Sequence, residues 1–495
     1  MILVLDLGSS STRASIYDSN ANPIDDLSAR VPTTFVIDEV GRNEDDAVAA
    51  FDRVAAALDT LHAIAVKHAS LVISDLGLSS YASSLICLEA RGAPLTPVFT
   101  YADTRCAEDA HRLREQLDEM EALQRTGCRI RANYVPAKIA WIKRTQPDVF
   151  AQTRTFASLS DYVMLRLFGQ MRSGISVASW SGLLSRETAN WDETWLAALG
   201  LTKAQFPTIS RDGEMLDGLL PQWRARWPQF AQVRCHPPIG DGAGANLGSG
   251  CIDSSRIAVT IGTTAAMRVA RPLGKLSSGE GELLAHLPSS LWNYRITHAH
   301  DLIGGATTEG GNVFAWARRA LQVPNDNTLE TQLAAMRPDA HGLTVLPMFA
   351  GERSPGYAED IRGTLHGLSL DTSPLDIARA LIESISYRLA HICDALHASG
   401  MARDDATLVG SGGALLASPT WCQIIADVCG RPLSIADVPE ATSRGVALLA
   451  VGQGLIQTSQ PTFDIPSITY QPDPQHSSTY RAGMLRQQEL YAKLI

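Results

Sequence analysis

Across 495 residues there is no uninterrupted apolar run of the ~18 that a membrane-spanning helix needs. The start, Met1-Ile2-Leu3-Val4-Leu5-Asp6, lacks the basic segment of a secretory leader, and Asp6 breaks its apolar stretch. Cysteine is sparse. The eight, at 87, 106, 128, 235, 251, 393, 422 and 429, include no C-x-x-C pair. Neither a zinc cluster nor a disulfide framework is expected, and the number suits a reduced cytosolic enzyme. Positive charge is in deficit: 42 Lys and Arg against 52 Asp and Glu leave −10. That excludes a basic nucleic-acid footprint over the whole chain, so any anion must be met by local devices such as backbone N–H nests, helix N-termini or a few arginines. Two nucleotide signatures are also missing. No G-x-x-x-x-G-K-[ST] loop occurs, since Gly305 and Gly310 have the spacing but are followed by Gly311-Asn312, and no G-x-G-x-x-G follows a strand.

What is present is a globular composition, 45% apolar and 19% charged, long enough for two large domains or about three smaller ones. Residues 2–5 and 13–17 read as a hairpin closed by Gly8-Ser9-Ser10-Ser11-Thr12. Further strands are expected at 71–78, 85–88, 257–261, 344–347 and 407–409. Helices are expected at 107–125, 136–146, 374–399, 419–430 and 480–494, with 458–478 a surface excursion. The glycine-dense stretch 239–250 marks the best candidate for a domain boundary. There is one internal echo: the segment from Val4 to Arg13 and the segment from Val259 to Arg268 are each an apolar strand, a glycine, hydroxyl residues and a strand containing Arg. Aligned on Gly8 and Gly262, Asp6 faces Thr260, so only the first copy supplies a carboxylate. The spacing, near half the chain, suggests two related domains facing each other rather than a solenoid.

The loop Gly8 to Thr12 is either an ordinary turn or a phosphate cradle of N–H groups and hydroxyls, with Asp6 placed to hold Mg²⁺. Gly240-Asp241-Gly242 is either an Asp-Gly turn or a carboxylate base that a substrate hydroxyl can reach closely. Gly262-Thr263-Thr264 repeats the phosphate-loop logic, and Gly410-Ser411-Gly412-Gly413-Ala414, before a helix, would let a flat base or ribose lie on the backbone.

In this order these segments resemble the FGGY family of carbohydrate kinases, over roughly residues 1–455. Tyr101-Ala102-Asp103-Thr104-Arg105, Ser176 to Leu183, Gly304 to Gly311 and Gly351-Glu352-Arg353-Ser354-Pro355-Gly356 add to the match. The resemblance implies an α/β fold of two ribonuclease-H-like domains, of the actin and hexokinase type, with an active-site cleft between them. Residues 1–248 would form the sugar side and 249–495 the ATP side. It implies an ATP- and Mg²⁺-dependent kinase that phosphorylates a hydroxyl of a small open-chain sugar such as D-xylulose or gluconate. It also implies a cytoplasmic setting and no nucleic-acid or membrane partner, with a homodimer as the default assembly.

Carried over by position, Asp241 is the catalytic base and, with Asp6, linked to the metal. Gly8, Ser9, Ser10, Ser11, Thr12 and Arg13 form the first phosphate loop and Gly262, Thr263 and Thr264 the second. Gly412, Gly413 and Ala414 form the adenosine loop, with Ser418 and Gln423 beside the adenine and Gly305 flanking the nucleotide. Tyr101, Asp103 and Arg105 lie beside the sugar, Tyr101 standing where many relatives carry Trp. Tyr81-Ala82-Ser83 departs from the Gln-Met-His type of run found in relatives acting on ketoses or gluconate, so Tyr81 and Ser83 are sugar contacts or plain packing. The blocks at 304–311 and 351–356 look most like the gluconate-kinase and xylulokinase side of the family and least like glycerol kinases.

A carboxylate substrate would want an added cation, from Arg105, Arg131 or Lys138; a ketopentose would not. Lys138 reads otherwise as a solvated helix position. Glu383 reads as a helix–helix hydrogen-bonding residue, and Trp191 and Trp195 as core or lid packing. His298-Ala299-His300-Asp301 would put two His on one face of a strand, as a metal site or as packing. Two other classes stand beside the kinase: a sugar-independent ATPase with the same loops, and a catalytically silent sugar sensor.

Overall fold

The computed structural model describes residues 1–68, 71–275, 282–283, 286–323, 327–436, 438–452 and 467–495. Two seven-stranded sheets organise the chain. In the first, β1 (Ile2–Leu7), β2 (Ser11–Tyr17) and β3 (Pro23–Pro32) form an antiparallel meander. Helix α1 (Ala47–Ala65) then leads to β4 (Asp75–Ser80), parallel to β1. Asp46 caps α1 by accepting from Ala49 N at 2.8 Å. β5 (Arg234–Cys235) and β6 (Ile239–Gly240) both add parallel to β4.

β1 is buried along its whole length, which is why it reads as an almost continuous apolar run. Its alternate side chains feed two cores: Leu3, Leu5 and Leu7 meet Phe51, Val54 and Leu58 of α1, whereas Ile2 and Val4 face the other way.

From β6 the chain passes through α2 (Asp241–Gly248) into the second sheet. β7 (Arg256–Ile261), β8 (Ala265–Pro272), β9 (Trp292–Thr297) and β10 (His300–Thr307) are antiparallel to their neighbours in the order β9-β10-β8-β7. β11 (Thr407–Ser411) runs parallel to β7 and β12 (Leu433–Ala436) parallel to β11; β13 (Ser467–Tyr470) closes the edge antiparallel to β12. Helices α3 (Pro374–Ala398) and α4 (Pro419–Cys429) bury Ile385, Leu389, Trp421 and Ile425 against Ile257, Val259 and Ile261.

The series β7, β8, β10, β11, β12 repeats the order and directions of β1, β2, β3, β4, β6. The sequence echo is thus a duplicated ribonuclease-H-like unit.

Helix α5 (Ala441–Ala450) comes late in the chain, yet Val446, Ala447 and Leu448 pack on Ile2, Val4 and Ile239 of the first sheet. It crosses α2 at backbone contact. A Cβ on Gly248 would stand 1.8 Å from the Ala441 oxygen, and one on Gly445 1.9 Å from the Gly244 oxygen. Gly244 and Gly248 of the glycine-dense stretch therefore serve this crossing.

Several elements differ from expectation. The helix expected over 107–125 is two, Ala107–Gln116 and Glu119–Thr126, because Asp118 caps the second by accepting from Met120 and Glu121 N–H groups at 2.7 and 3.0 Å. Pro147 ends Val135–Thr145 but also opens the short helix Pro147–Gln152. The strand expected at 71–78 is Asp75–Ser80. Of the expected excursion 458–478, residues 458–466 lie outside the described residues; the rest holds β13 and the start of the terminal helix Pro474–Leu494. His298 and His300 do not share a strand. His298 sits in the turn between β9 and β10 and bonds Asp212 at 2.9 Å, while His300 bonds Thr297 at 3.0 Å. Neither belongs to a metal-type cluster among the described residues. Trp191 and Trp195 are core residues. No helix among the described residues is long and apolar enough to cross a membrane.

Gly445→Ala should force α2 and α5 apart. We expect a loss of about 2 kcal/mol or more, read as a thermal midpoint lowered by several degrees in calorimetry.

Candidate active site

Strand register brings the two acidic candidates together. Asp6 near the end of β1 is level with Ser79 of β4, and β6 pairs Ile239 with the same Ser79. Asp241, the first residue after β6, therefore emerges beside Asp6 at the carboxyl ends of parallel strands, where open α/β sheets place their ligands. Asp6 is buried; its Oδ1 accepts from Ser79 Oγ at 2.5 Å and its Oδ2 from Arg13 at 3.3 Å. The same Arg13 guanidinium lies 2.5 Å from Glu440, the residue before α5. Burial holds the Asp6 carboxyl above the usual range, against the Ser79 bond and the Arg13 charge. Asp241 heads α2, where its Oδ1 accepts from Gly242 N at 2.7 Å. Burial, and then the Asp6 charge, push it up to about 6.

Of the first loop, Ser9 and Ser10 are exposed, while Ser11 and Thr12 are buried in β2, Ser11 Oγ accepting from Arg30 at 3.0 Å. Gly8 N closes the turn on Ser11 O at 3.0 Å. Across the cleft Gly262, Thr263 and Thr264 are exposed. Gly311 N and Asn312 N fasten that loop to a helix N-terminus through Gly262 O and Thr263 O at 2.8 and 3.2 Å. Gly412 has φ +98°, and a Cβ there would meet Ile261 O at 2.4 Å, so glycine lets the 412–414 loop lie directly over β7. Gly413 and Ala414 follow at the head of a short helix, and no atom of the described residues lies within 4 Å of a Cβ on Gly413.

Other residues expected here are occupied elsewhere. Ser418 caps α4, accepting from Trp421 N at 3.2 Å and donating to Glu330 at 2.8 Å. Gln423 donates to Asp427 and to Gln471 O, both at 2.8 Å. Gly305 is buried mid-strand in β10, where a Cβ would strike Ile392 at 2.8 Å; it serves sheet–helix packing and flanks no loop.

On the sugar side, Tyr101 is 42% exposed and feels both Asp241 and Arg353; burial and the Asp241 charge raise its phenol, against a hydrogen bond to Ser9. Asp103 is buried, accepting from Asn43 N at 3.1 Å and from Arg105 at 2.5 Å. Arg105 also bonds Glu44 at 2.7 Å and lies over the Trp141 ring. Ser83 donates its hydroxyl proton to the Trp180 carbonyl, so only its lone pairs stay open. Tyr81 is core-buried against Phe35 and Tyr101, with its hydroxyl unpartnered among the described residues. Lys138 is not solvated: it is buried, bonds the Ala132 and Asn133 carbonyls at 3.1 and 3.0 Å, and is driven down to about 8 by burial. Glu383 bonds His341, Arg379 and Tyr480, as a helix–helix residue should.

Sequence reasoning missed three residues. Arg268 on β8 lies in the field of Asp241, and burial lowers its guanidinium against that carboxylate's pull. Trp180 lies against Gly240 and Gly242 and stacks on Tyr294 at 4.2 Å. Arg353 is felt by Tyr101. Arg268 stood inside the echo and Arg353 inside the 351–356 block, so the signal was there for both, without a role attached.

Two family models match the chain: the N-terminal domain of the FGGY family of carbohydrate kinases over residues 1–248 and its C-terminal domain over 280–453. The chain is 26% identical to a gluconokinase from Bacillus subtilis, over 98% of this chain and 94% of the relative. It is 25% identical to a xylulose kinase from Escherichia coli, over 75% and 74%. A glycerol kinase from Rhodospirillum rubrum matches at 28% over 92% and 90%, so overall identity does not separate the three types. A solved gluconate kinase from Lactobacillus acidophilus has the same fold, with a TM-score of 0.86 at 23% identity over 100% of this chain and 98% of that one. The duplicated sheets and the matched domains lead to one conclusion: this chain belongs to the FGGY family of carbohydrate kinases and is a sugar phosphotransferase.

Proposed function

We propose that the chain transfers the γ-phosphoryl group of ATP to a hydroxyl of a small open-chain sugar or sugar acid, with Asp241 as general base. The observation that carries this is the placement of Asp241: a half-buried carboxylate at a helix start, beside Asp6, pushed up to about 6. A base with that affinity is ionised at neutral pH and still able to take a proton. As the sugar oxygen–phosphorus bond forms, the bond from the γ-phosphorus to its bridging oxygen breaks, ADP leaves with the electron pair, and the hydroxyl proton passes to the Asp241 carboxylate.

Ser9 and Ser10 from one side and Gly262, Thr263 and Thr264 from the other bracket the phosphates with hydroxyls and backbone N–H groups. Gly412, Gly413 and Ala414 supply the flat backbone for the adenosine. Tyr101 and the lone pairs of Ser83 line the sugar side, and Asp103 with Arg105 stiffens the segment that carries Tyr101.

Asp6 and Asp241 are hard oxygen donors, and Asp6 Oδ2 is held only at 3.3 Å by Arg13; this pair fits Mg²⁺. When bound, that ion neutralises charge on the phosphoryl oxygens. The likeness of the 304–311 and 351–356 blocks to the gluconate-kinase and xylulokinase side of the family, beside relatives so named, supports gluconate and D-xylulose as the two substrate types.

Asp241→Asn should lower kcat/KM for the sugar by about 10²–10⁴-fold, while calorimetry still detects sugar binding; full activity in this variant would remove Asp241 from the chemistry. The Asp241 carboxyl lies at about 6 without Mg²⁺ and lower with the ion bound, so the pH profile of kcat/KM should show an acidic limb at or below 6. The group is raised above its unfolded value, so activity is present above that point and is lost as pH falls through it. A flat profile down to pH 4.5 would contradict the base assignment.

A further inference from the structure

The strap that fastens the second phosphate loop carries a buried acid to which the mechanism gives no part. Between β10 and the helix Gly311–Leu321 the chain wraps that loop closely. Thr307 Oγ1 shares its proton between Ala265 O at 3.2 Å and Glu309 O at 2.5 Å. A Cβ on Gly310 would stand 2.6 Å from the Thr264 carbonyl carbon, so the two backbones lie in contact. Gly311 N and Asn312 N then hold Gly262 O and Thr263 O.

Glu309 is only 3% exposed, and its Oε1 accepts from Ala350 N at 3.0 Å. With Ser354 N on Ala306 O, also at 3.0 Å, that bond ties the strap to the 349–356 segment. Thr307, Thr308, Glu352, Ser354 and Arg388 surround the carboxyl, with only about 10 Å³ of free space among them. That is no room for the hydration shell of an ionised carboxylate. The charged groups facing it are Glu352 of the 349–356 segment and Arg388 of α3; Thr307 and Thr308 of its own strap are neutral. Arg388 is clamped on Glu352, which also accepts from Tyr491. Burial, with the Glu352 charge adding to it, pushes the Glu309 carboxyl up to about 7, against the Ala350 bond.

These surroundings suit the neutral acid. Neutral, Glu309 stays inside and keeps its bond to Ala350. Ionised, it needs water, and the movement that admits water loosens the strap on Gly262 and Thr263. A phosphate on that loop acts in the same direction, because its charge opposes a second negative charge behind the strap.

We infer that Glu309 is a positioning residue for the second phosphate loop, which it holds in the binding geometry only as the neutral acid, so that nucleotide binding takes up a proton. This rests on the kinase reading above. The proton passes from solvent to the Glu309 carboxylate, and no bond of the nucleotide changes.

The test is calorimetric titration of the full chain with Mg-ADP, without sugar, from about pH 6.5 to about pH 8.5. Glu309→Gln keeps an acceptor for Ala350 N and is neutral throughout. The two proteins should bind nearly alike at the lower end, and the unaltered protein about 10-fold more weakly than the variant at the upper end. Titration of the nucleotide and of all other groups is common to both and cancels in the ratio. In the unaltered protein alone, titrations near pH 7.5 in buffers of different ionisation heat should show net uptake of about half a proton. A ratio constant across the range overturns the inference, including a uniform weakening in the variant, the result expected of a merely structural residue. Absence of proton uptake overturns it whether or not the variant folds. No nucleotide binding at any pH would sink the kinase reading and this inference together; binding at a constant ratio sinks this inference alone.

Discussion

At Gly248 and Gly445 two helix backbones lie so close that a single Cβ would overlap a carbonyl oxygen. The site depends on this crossing. α2 begins with Asp241 and α5 follows Glu440, so one contact fixes both the proposed base and the acid that shares Arg13 with Asp6. The same contact lets a helix from the end of the chain cover the first sheet, through Val446 on Gly77 and Leu448 beside Ile2 and Val4. Small residues are needed along it, and the sequence supplies them in the glycine cluster that reads, without coordinates, as a domain boundary.

The cleft holds both signs of charge in tight space. Burial and then the Asp6 charge raise the proton affinity of Asp241; burial raises that of Asp6, with the Glu440 charge adding to it. Arg13 on β2 balances Asp6, and Arg268 on β8 balances Asp241. The net charge of −10 is therefore no measure of what the cleft binds. The carboxylates suit a hard cation and a proton transfer, and the guanidinium groups suit oxyanions.

Much of the fold was legible. The β1–β2 hairpin, the long helix at 374–398 and the duplication seen in Val4 to Arg13 and Val259 to Arg268 all reflect local patterns that survive tertiary packing. What was not legible depended on distant partners. Ser418 carried a suitable position for a nucleotide, but a helix cap and Glu330 claim it. Gly305 looked like loop glycine and is a strand residue kept small by Ile392. Lys138 reads as solvated on its own helix, yet carbonyls six and five residues upstream turn inward to hold it. Arg268 was visible as a letter, but its place in the field of Asp241 is a property of three-dimensional neighbours, which no spacing encodes.

The central claim is that phosphoryl transfer in this chain is coupled to a sugar. The most direct measurement is ADP release from Mg-ATP by the unaltered protein across gluconate, D-xylulose, L-ribulose, glycerol and a blank without sugar. The account predicts a low blank and ADP release with at least one of the sugars. Rapid ADP release in the blank, unchanged by any sugar, would contradict it.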